Sequence, residues 1–306
     1  MLPSLRGVPN IDPELNQFLE AFPVARVSDP GVDVVAVRDD LNRRWQRMRP
    51  VIQVGDVIDM TTPVPVRVYK PVAGAVDLPV VVFMHGGGWC TGGLATHDDL
   101  CRRICRSVQA VVVAVDYRLA PEHPFPAAVE DSFAVLRWVG SHAAEIGGDP
   151  SRIAVAGDSA GGNLAAVLTQ LARDSGGPAL RFQLLLYPAL GGEFPSQREQ
   201  ADAPVLGAAD LATYLRYYAG DVSGRPSTLY PALAPDLTGL PPAFIATVWR
   251  DPLRDEAEDY GRRLESAEVV RFDHLVHSFA GYAPLVPAAS EALEQCLSAL
   301  RKGLLS

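Results

Sequence analysis

Gly157-Asp158-Ser159-Ala160-Gly161 is the stretch on which the reading of this chain turns. Before it runs Arg152-Ile153-Ala154-Val155-Ala156, short, apolar and partly β-branched, as a buried strand should be. After it runs Gly162-Asn163-Leu164-Ala165-Ala166-Val167-Leu168-Thr169-Gln170-Leu171-Ala172, rich in Ala and Leu, which predicts a helix. A serine on the sharp turn between strand and helix, with a glycine two residues away on each side, is a nucleophile elbow of G-x-S-x-G type. Such a turn is tight, and Cβ atoms at Gly157 and Gly161 would collide with neighbouring backbone. The turn leaves Ser159 Oγ exposed at the top of a sheet, at a helix N-terminus that favours developing negative charge. Five residues also match by chance in ordinary βα turns, so the motif is weighed with what flanks it. Asp158, beside the serine and pointing elsewhere, reads as a brace for the elbow.

Outward from the elbow the chain alternates strand and helix. Continuous apolar runs at Val80–Met84 and Ala110–Val115 predict strands buried on both faces. Pro63–Tyr69, Phe182–Tyr187, Ala243–Val248 and a short Val269–Phe272 read as further strands. Helices are expected from Thr96 to about Val108, Phe125 to about Ile146, Glu256 to about Ser266 and Ala288 to Arg301. This order predicts a mostly parallel sheet with helices on both faces. Two segments lie outside the alternation. Asp12-Pro13-Glu14 has the form of an N-cap, a first-turn proline and an acidic first turn, and a second helix is expected over Asp33–Met48, ending at Arg49-Pro50. The other segment, Gly191 to about Leu240, is rich in Pro, Gly and Asp with one amphipathic helix around Leu211–Tyr218, and reads as an insertion between core strands.

A serine nucleophile needs an oxyanion hole, a base and an orienting carboxylate. His85-Gly86-Gly87-Gly88-Trp89 follows directly on a strand, and three glycines there let backbone N–H groups point into a cavity. No G-K-[ST] follows, and the spacing is not G-x-G-x-x-G, so phosphate-loop and dinucleotide readings fail. His85 reads as a brace for the glycine loop, and Trp89 as core or pocket wall. Asp251, just past the Ala243–Val248 strand, fits the acid; Asp255 and Glu256 fit the first turn of a helix, where they complement its dipole. His274 and His277 both qualify as base, while His97, His123 and His142 read as structural or surface residues.

With 306 residues, 48% of them apolar, the chain can bury one large α/β core with insertions. Lys and Arg number 27 against 36 Asp and Glu, a formal charge of −9 with no basic run, which argues against nucleic acid and anionic membrane as partners. No apolar stretch reaches the roughly 20 residues of a membrane span, and Met1-Leu2-Pro3-Ser4-Leu5-Arg6 lacks the pattern of a signal peptide. A cytoplasmic protein without stable membrane insertion is expected. Cys90, Cys101, Cys105 and Cys296 form no disulfide framework; Cys101 and Cys105, one helical turn apart, read as buried thiols rather than metal ligands.

Four blocks together carry a resemblance. They are His85–Trp89, Asp116-Tyr117-Arg118-Leu119-Ala120-Pro121-Glu122-His123-Pro124-Phe125-Pro126-Ala127-Ala128, the elbow Gly157–Ala165, and Asp251-Pro252-Leu253-Arg254-Asp255-Glu256 with His277-Ser278-Phe279. From about Val54 onward the chain resembles the hormone-sensitive lipase group, the bacterial family IV esterases, of the α/β hydrolases. The resemblance implies an α/β-hydrolase fold with an eight-stranded, mostly parallel sheet. It implies one domain over residues 1–306, with a helical cap formed by about 1–49 and the insertion at about 191–240. It further implies Ser159 as nucleophile, Asp251 as acid, His277 as base, and the amides of Gly87, Gly88 and Ala160 as the oxyanion hole. The block from Asp116 is structural in such proteins. Here Ser278 stands where the family usually has glycine, and Ser266-Ala267-Glu268-Val269 lacks the family's usual glycine turn. A homodimer through the sheet edge is an open expectation.

These readings converge on a serine carboxylesterase for short- to medium-chain small-molecule esters, with no metal or organic cofactor implied. An amidase or deacetylase would use the same triad and differ in pocket and leaving-group protonation. A ligand-binding protein on a hydrolase scaffold would be expected to lack the catalytic histidine. The cap residues expected to line the acyl pocket are Phe18, Leu19, Phe22, Leu211, Tyr214 and Leu215.

Overall fold

The computed structural model describes residues 9–23, 26–48, 51–220, 222 and 224–305. The opening Met1–Arg6, the Arg49-Pro50 helix stop and the first residues of the expected cap therefore lie outside the described residues. In chain order the elements are α1 (Pro13–Ala21), α2 (Val34–Met48), β1 (Asp56–Thr61), β2 (Pro65–Lys70) and β3 (Leu78–Met84). Next come α3 (Asp98–Val108), β4 (Val111–Val115), α4 (Ala127–His142), β5 (Gly148–Asp158), α5 (Ala160–Asp174) and β6 (Leu180–Leu186). The chain closes with α6 (Pro195–Glu199), α7 (Ala208–Ala219), β7 (Ala243–Arg250), α8 (Arg254–Arg263), β8 (Ala267–Val276), α9 (Phe279–Tyr282) and α10 (Pro287–Leu305).

The eight strands form one sheet in the order β1-β2-β4-β3-β5-β6-β7-β8. β1, β2 and β4 pair antiparallel, and every pair from β4 to β8 is parallel. β3 and β4 have no polar residues because both of their faces are covered. Val80, Val82 and Met84 of β3 face α4 and α5, whereas Val81 and Phe83 face α3 and α10. Chain order reverses around β3 and β5, and the elbow sits at the C-terminal end of β5 there, where open α/β sheets bind ligands. No helix among the described residues is long and apolar enough to cross a membrane.

The structure differs from the sequence reading at four places. β1 was not foreseen, since it lies at the sheet edge with Val57 and Ile58 exposed and buries no alternating face. β8 is not a four-residue strand: it pairs with β7 from Ala267 to Val276, and its polar residues reflect an edge position rather than a loop. α8 passes into it through an extended Leu264, so no left-handed glycine is needed. The insertion carries α6 and a 3₁₀ turn at Pro231–Leu233 besides the expected helix.

The N-terminal segment is fastened at three points. Asp12 caps α1, accepting from the Glu14 and Leu15 amides, and its own amide donates to the His274 carbonyl. Arg26 and Ser28 both donate to the buried Asp210 of α7, at 2.8 and 2.7 Å. Arg38 of α2 donates to the Cys90 and Ala120 carbonyls and pairs with both oxygens of Glu122.

Candidate active site

The elbow is a physical interlock. A Cβ at Gly157 would lie 2.2 Å from the Gly161 carbonyl oxygen, and one at Gly161 would lie 2.0 Å from the Met84 oxygen at the end of β3. Ser159 itself takes φ 53°, ψ −117°, a region that non-glycine residues occupy only where surroundings impose it. The Ser159 amide donates to Leu186 O, tying the elbow to β6.

From that turn Ser159 Oγ lies 2.9 Å from His277 Nε2, and His277 Nδ1 lies 2.7 Å from Asp251 Oδ2. All three side chains are buried. Asp251 keeps its carboxylate fixed by accepting the Leu253 amide on its other oxygen. An imidazole protonated on Nδ1 donates to Asp251 and leaves Nε2 to accept from the serine. His274, the other candidate, is exposed and turned to the Asn10 carbonyl, remote from this chain of bonds. Asp255 pairs with Arg254 and accepts the Ser196 amide.

Among the described residues, no backbone carbonyl takes the Gly87 or Gly88 amide. The Gly87 carbonyl closes the turn by accepting from Cys90 N, Thr91 N and Thr91 Oγ. Ala160 opens α5, where the amide has no partner within the helix. His85 Nδ1 lies 2.8 Å from the Gly86 carbonyl, and its ring stacks on Tyr117 at 4.2 Å. Burial and neighbouring His97 push the His85 pKa down to about 3, which leaves it a neutral strut. The Asp116 block is structural here too: the Tyr117 hydroxyl donates to His85 O, and Arg118 grips Asp131.

Asp158 braces more than the elbow. It accepts the Gly86 amide at 2.8 Å and faces His97 Nε2 at 3.2 Å, so it joins elbow and glycine loop. Burial would raise this carboxyl, but His97 and the Gly86 amide outweigh it and its pKa falls below the ordinary carboxylate value. His97, read above as structural or surface, stands in the cavity wall. Glu256 departs further from its reading. It is buried and accepts the Leu190 and Gly191 amides at 2.6 and 3.0 Å, clamping the start of the insertion to α8. Burial dominates over those amides and raises its pKa to about 8.

Ser159 and His277 stand in the wall of a cavity of about 490 Å³. Phe18, Phe22, Leu211 and Tyr214 line it as expected, together with Trp89, which also stacks on Tyr218 at 4.5 Å. Leu19 and Leu215 are not in its wall and pack into the two cores. Tyr187 was not foreseen: it lines the cavity and sets its ring edge-on to His277 at 4.9 Å. Among the described residues no three His, Cys, Asp or Glu cluster as a metal site, and the four cysteines are buried free thiols.

Residues 81–281 match a family described as alpha/beta hydrolase fold. The chain belongs to the α/β hydrolases. Within them it is a member of the hormone-sensitive lipase group, as its motifs imply. This α/β hydrolase is 48% identical over 310 residues to the carboxylesterase NlhH of Mycobacterium tuberculosis, covering 97% of each chain. It is 46% identical over 306 residues to the esterase LipI of the same organism, covering 96% of this chain and 95% of that one. Among solved structures, the Pyrobaculum calidifontis esterase superposes with a TM-score of 0.86 at 37% identity, covering 95% of this α/β hydrolase and 98% of its own chain.

Proposed function

We propose that the protein is a serine carboxylesterase acting on short- to medium-chain esters through an acyl-enzyme. The observation that carries this reading is the chain of hydrogen bonds Asp251–His277–Ser159 at 2.7 and 2.9 Å, with Ser159 and His277 in the wall of an apolar cavity. His277 Nε2 takes the proton as Ser159 Oγ attacks the ester carbonyl. Asp251 holds the imidazole in the required tautomer and stabilises the imidazolium that forms. The Gly87, Gly88 and Ala160 amides receive the oxyanion. The imidazolium then protonates the leaving alcohol, and water, activated by the same histidine, releases the acid. The names of NlhH and LipI support ester hydrolysis as the reaction class.

In this reading the chain is one domain whose N-terminal helices and 191–240 insertion form a cap. The Arg26–Asp210 pair supports that, since it joins the two segments. A cavity of this size suits short and medium acyl chains rather than triglycerides. Rates over p-nitrophenyl esters of graded chain length, measured for wild type and Ser159→Ala, test the proposal. A peak at short to medium chains that vanishes in Ser159→Ala is expected. Retention of most of kcat in Ser159→Ala would remove the hydrolase reading.

A further inference from the structure

Two tyrosines one helical turn apart on α7 grip two consecutive residues of the glycine loop. The Tyr214 ring occupies the space where Gly88 would carry a side chain: a Cβ built there falls 2.2 to 2.7 Å from three of its ring carbons. Tyr218 stacks on Trp89 at 4.5 Å and 4°. Gly88 and Trp89 both adopt left-handed backbone, with φ 59° and 58°. Trp89 does so against its own side chain's preference, so the loop needs an outside hold. The Tyr214 side chain also interacts with that of Thr91, whose amide and hydroxyl close the turn on the Gly87 carbonyl. One aromatic ring from the insertion thus packs on the loop that lines the nucleophile's cavity.

From this contact we propose that Tyr214 is a positioning residue for the oxyanion hole. The direction of the Gly88 amide is set by α7 and not by the α/β core alone. The inference rests on the reading of Gly87 and Gly88 as oxyanion donors. It makes the seating of α7 a term in the chemical step: a substrate that pushes α7 outward loses turnover, beyond any change in binding. The anchor of that seating is Asp210, one turn before Tyr214, which holds Arg26, Ser28 and the Gly207 amide.

The test compares an alkyl trifluoromethyl ketone with the matching secondary alcohol as inhibitors of wild type, Tyr214→Ala and Tyr214→Phe. Ser159 Oγ adds to the ketone carbon, its proton passes to His277 Nε2, and the carbonyl oxygen becomes an oxyanion with no group leaving. The alcohol fills the same space and forms no oxyanion. Wild type should prefer the ketone. Tyr214→Ala weakens both inhibitors through the lost wall contact, but should in addition lose on the order of tenfold of the ketone's preference over the alcohol, less than the cost of deleting an oxyanion donor outright. Its kcat should fall in parallel with the lost preference. Tyr214→Phe, which keeps the ring, should retain most of the preference. If Tyr214→Ala does not fold, Tyr214→Leu is read in the same way. Equal weakening of ketone and alcohol, or no change in either, would overturn the proposal and leave the esterase reading standing. A wild type that shows no preference for the ketone would overturn the oxyanion assignment and this inference with it.

Discussion

Replacing Gly161 by alanine drives one methyl group into the joint between nucleophile and oxyanion loop. The new Cβ would stand 2.0 Å from Met84 O and 2.6 Å from His85 O, both backbone atoms that cannot rotate away, whereas real Cβ contacts rarely fall below 3.0 Å. The elbow and the end of β3 must therefore separate by about one ångström, a misplacement on the scale that costs about 100-fold in rate. The displacement falls between Ser159 and Gly87–Gly88, so kcat should carry the loss and KM should stay within a few-fold. Steady-state kinetics on p-nitrophenyl butyrate, normalised by active-site titration, measure it, and a thermal melt checks that the protein remains folded. A folded Gly161→Ala protein with kcat within threefold of wild type would refute the claim that this contact sets the catalytic geometry.

Asp251→Asn should lower kcat by about 10⁴, because an amide facing Nδ1 favours the wrong tautomer, while Asp255→Asn should cost less than tenfold; kinetics of the two variants decide the acid, and reversed effects would reassign it. Glu256 titrates near its ordinary value when unfolded and at about 8 when folded, so the unfolded chain gives up this proton first. Its contribution to stability is therefore present at low pH and is lost as pH rises through that window; Glu256→Gln, which keeps an acceptor for both amides, should flatten the decline of Tm between about pH 5 and 8. Ser278 occupies left-handed backbone at φ 63°, so Ser278→Gly should stabilise by roughly 0.5–1 kcal/mol in denaturant titration.

The elbow was legible in the sequence because its geometry is local: strand, glycine, serine and glycine lie within a dozen residues, and the collisions they avoid are with their own neighbours. Asp251 was legible as the candidate acid from its place after a strand. The base was not fully so, since His274 and His277 share one strand end, and only folding turns the former to Asn10 and the latter to Asp251. An acidic residue in a first helical turn reads as exposed, and nothing along the chain told Glu256 from Asp255; its burial depends on the insertion packing above it. β1 and most of β8 were hidden for a related reason, as edge strands need no continuous apolar run. Tyr214 was foreseen in the pocket wall, but its hold on Gly88 joins parts of the chain that no local pattern relates.

The three fastenings of the N-terminal segment also bear on how the chain is made. α1 is translated before every strand of the sheet, yet its neighbours Arg26 and Asn10 meet partners 184 and 264 residues later in sequence. At ordinary synthesis rates that is a delay on the order of 10–50 s. Throughout it Leu15, which ends fully buried, waits on a core that α10 and the end of β8 complete. α1, translated before the strands of the sheet, is thus among the last elements to dock, and the nascent chain carries an uncovered apolar stripe that chaperones can hold until the sheet's far edge is complete.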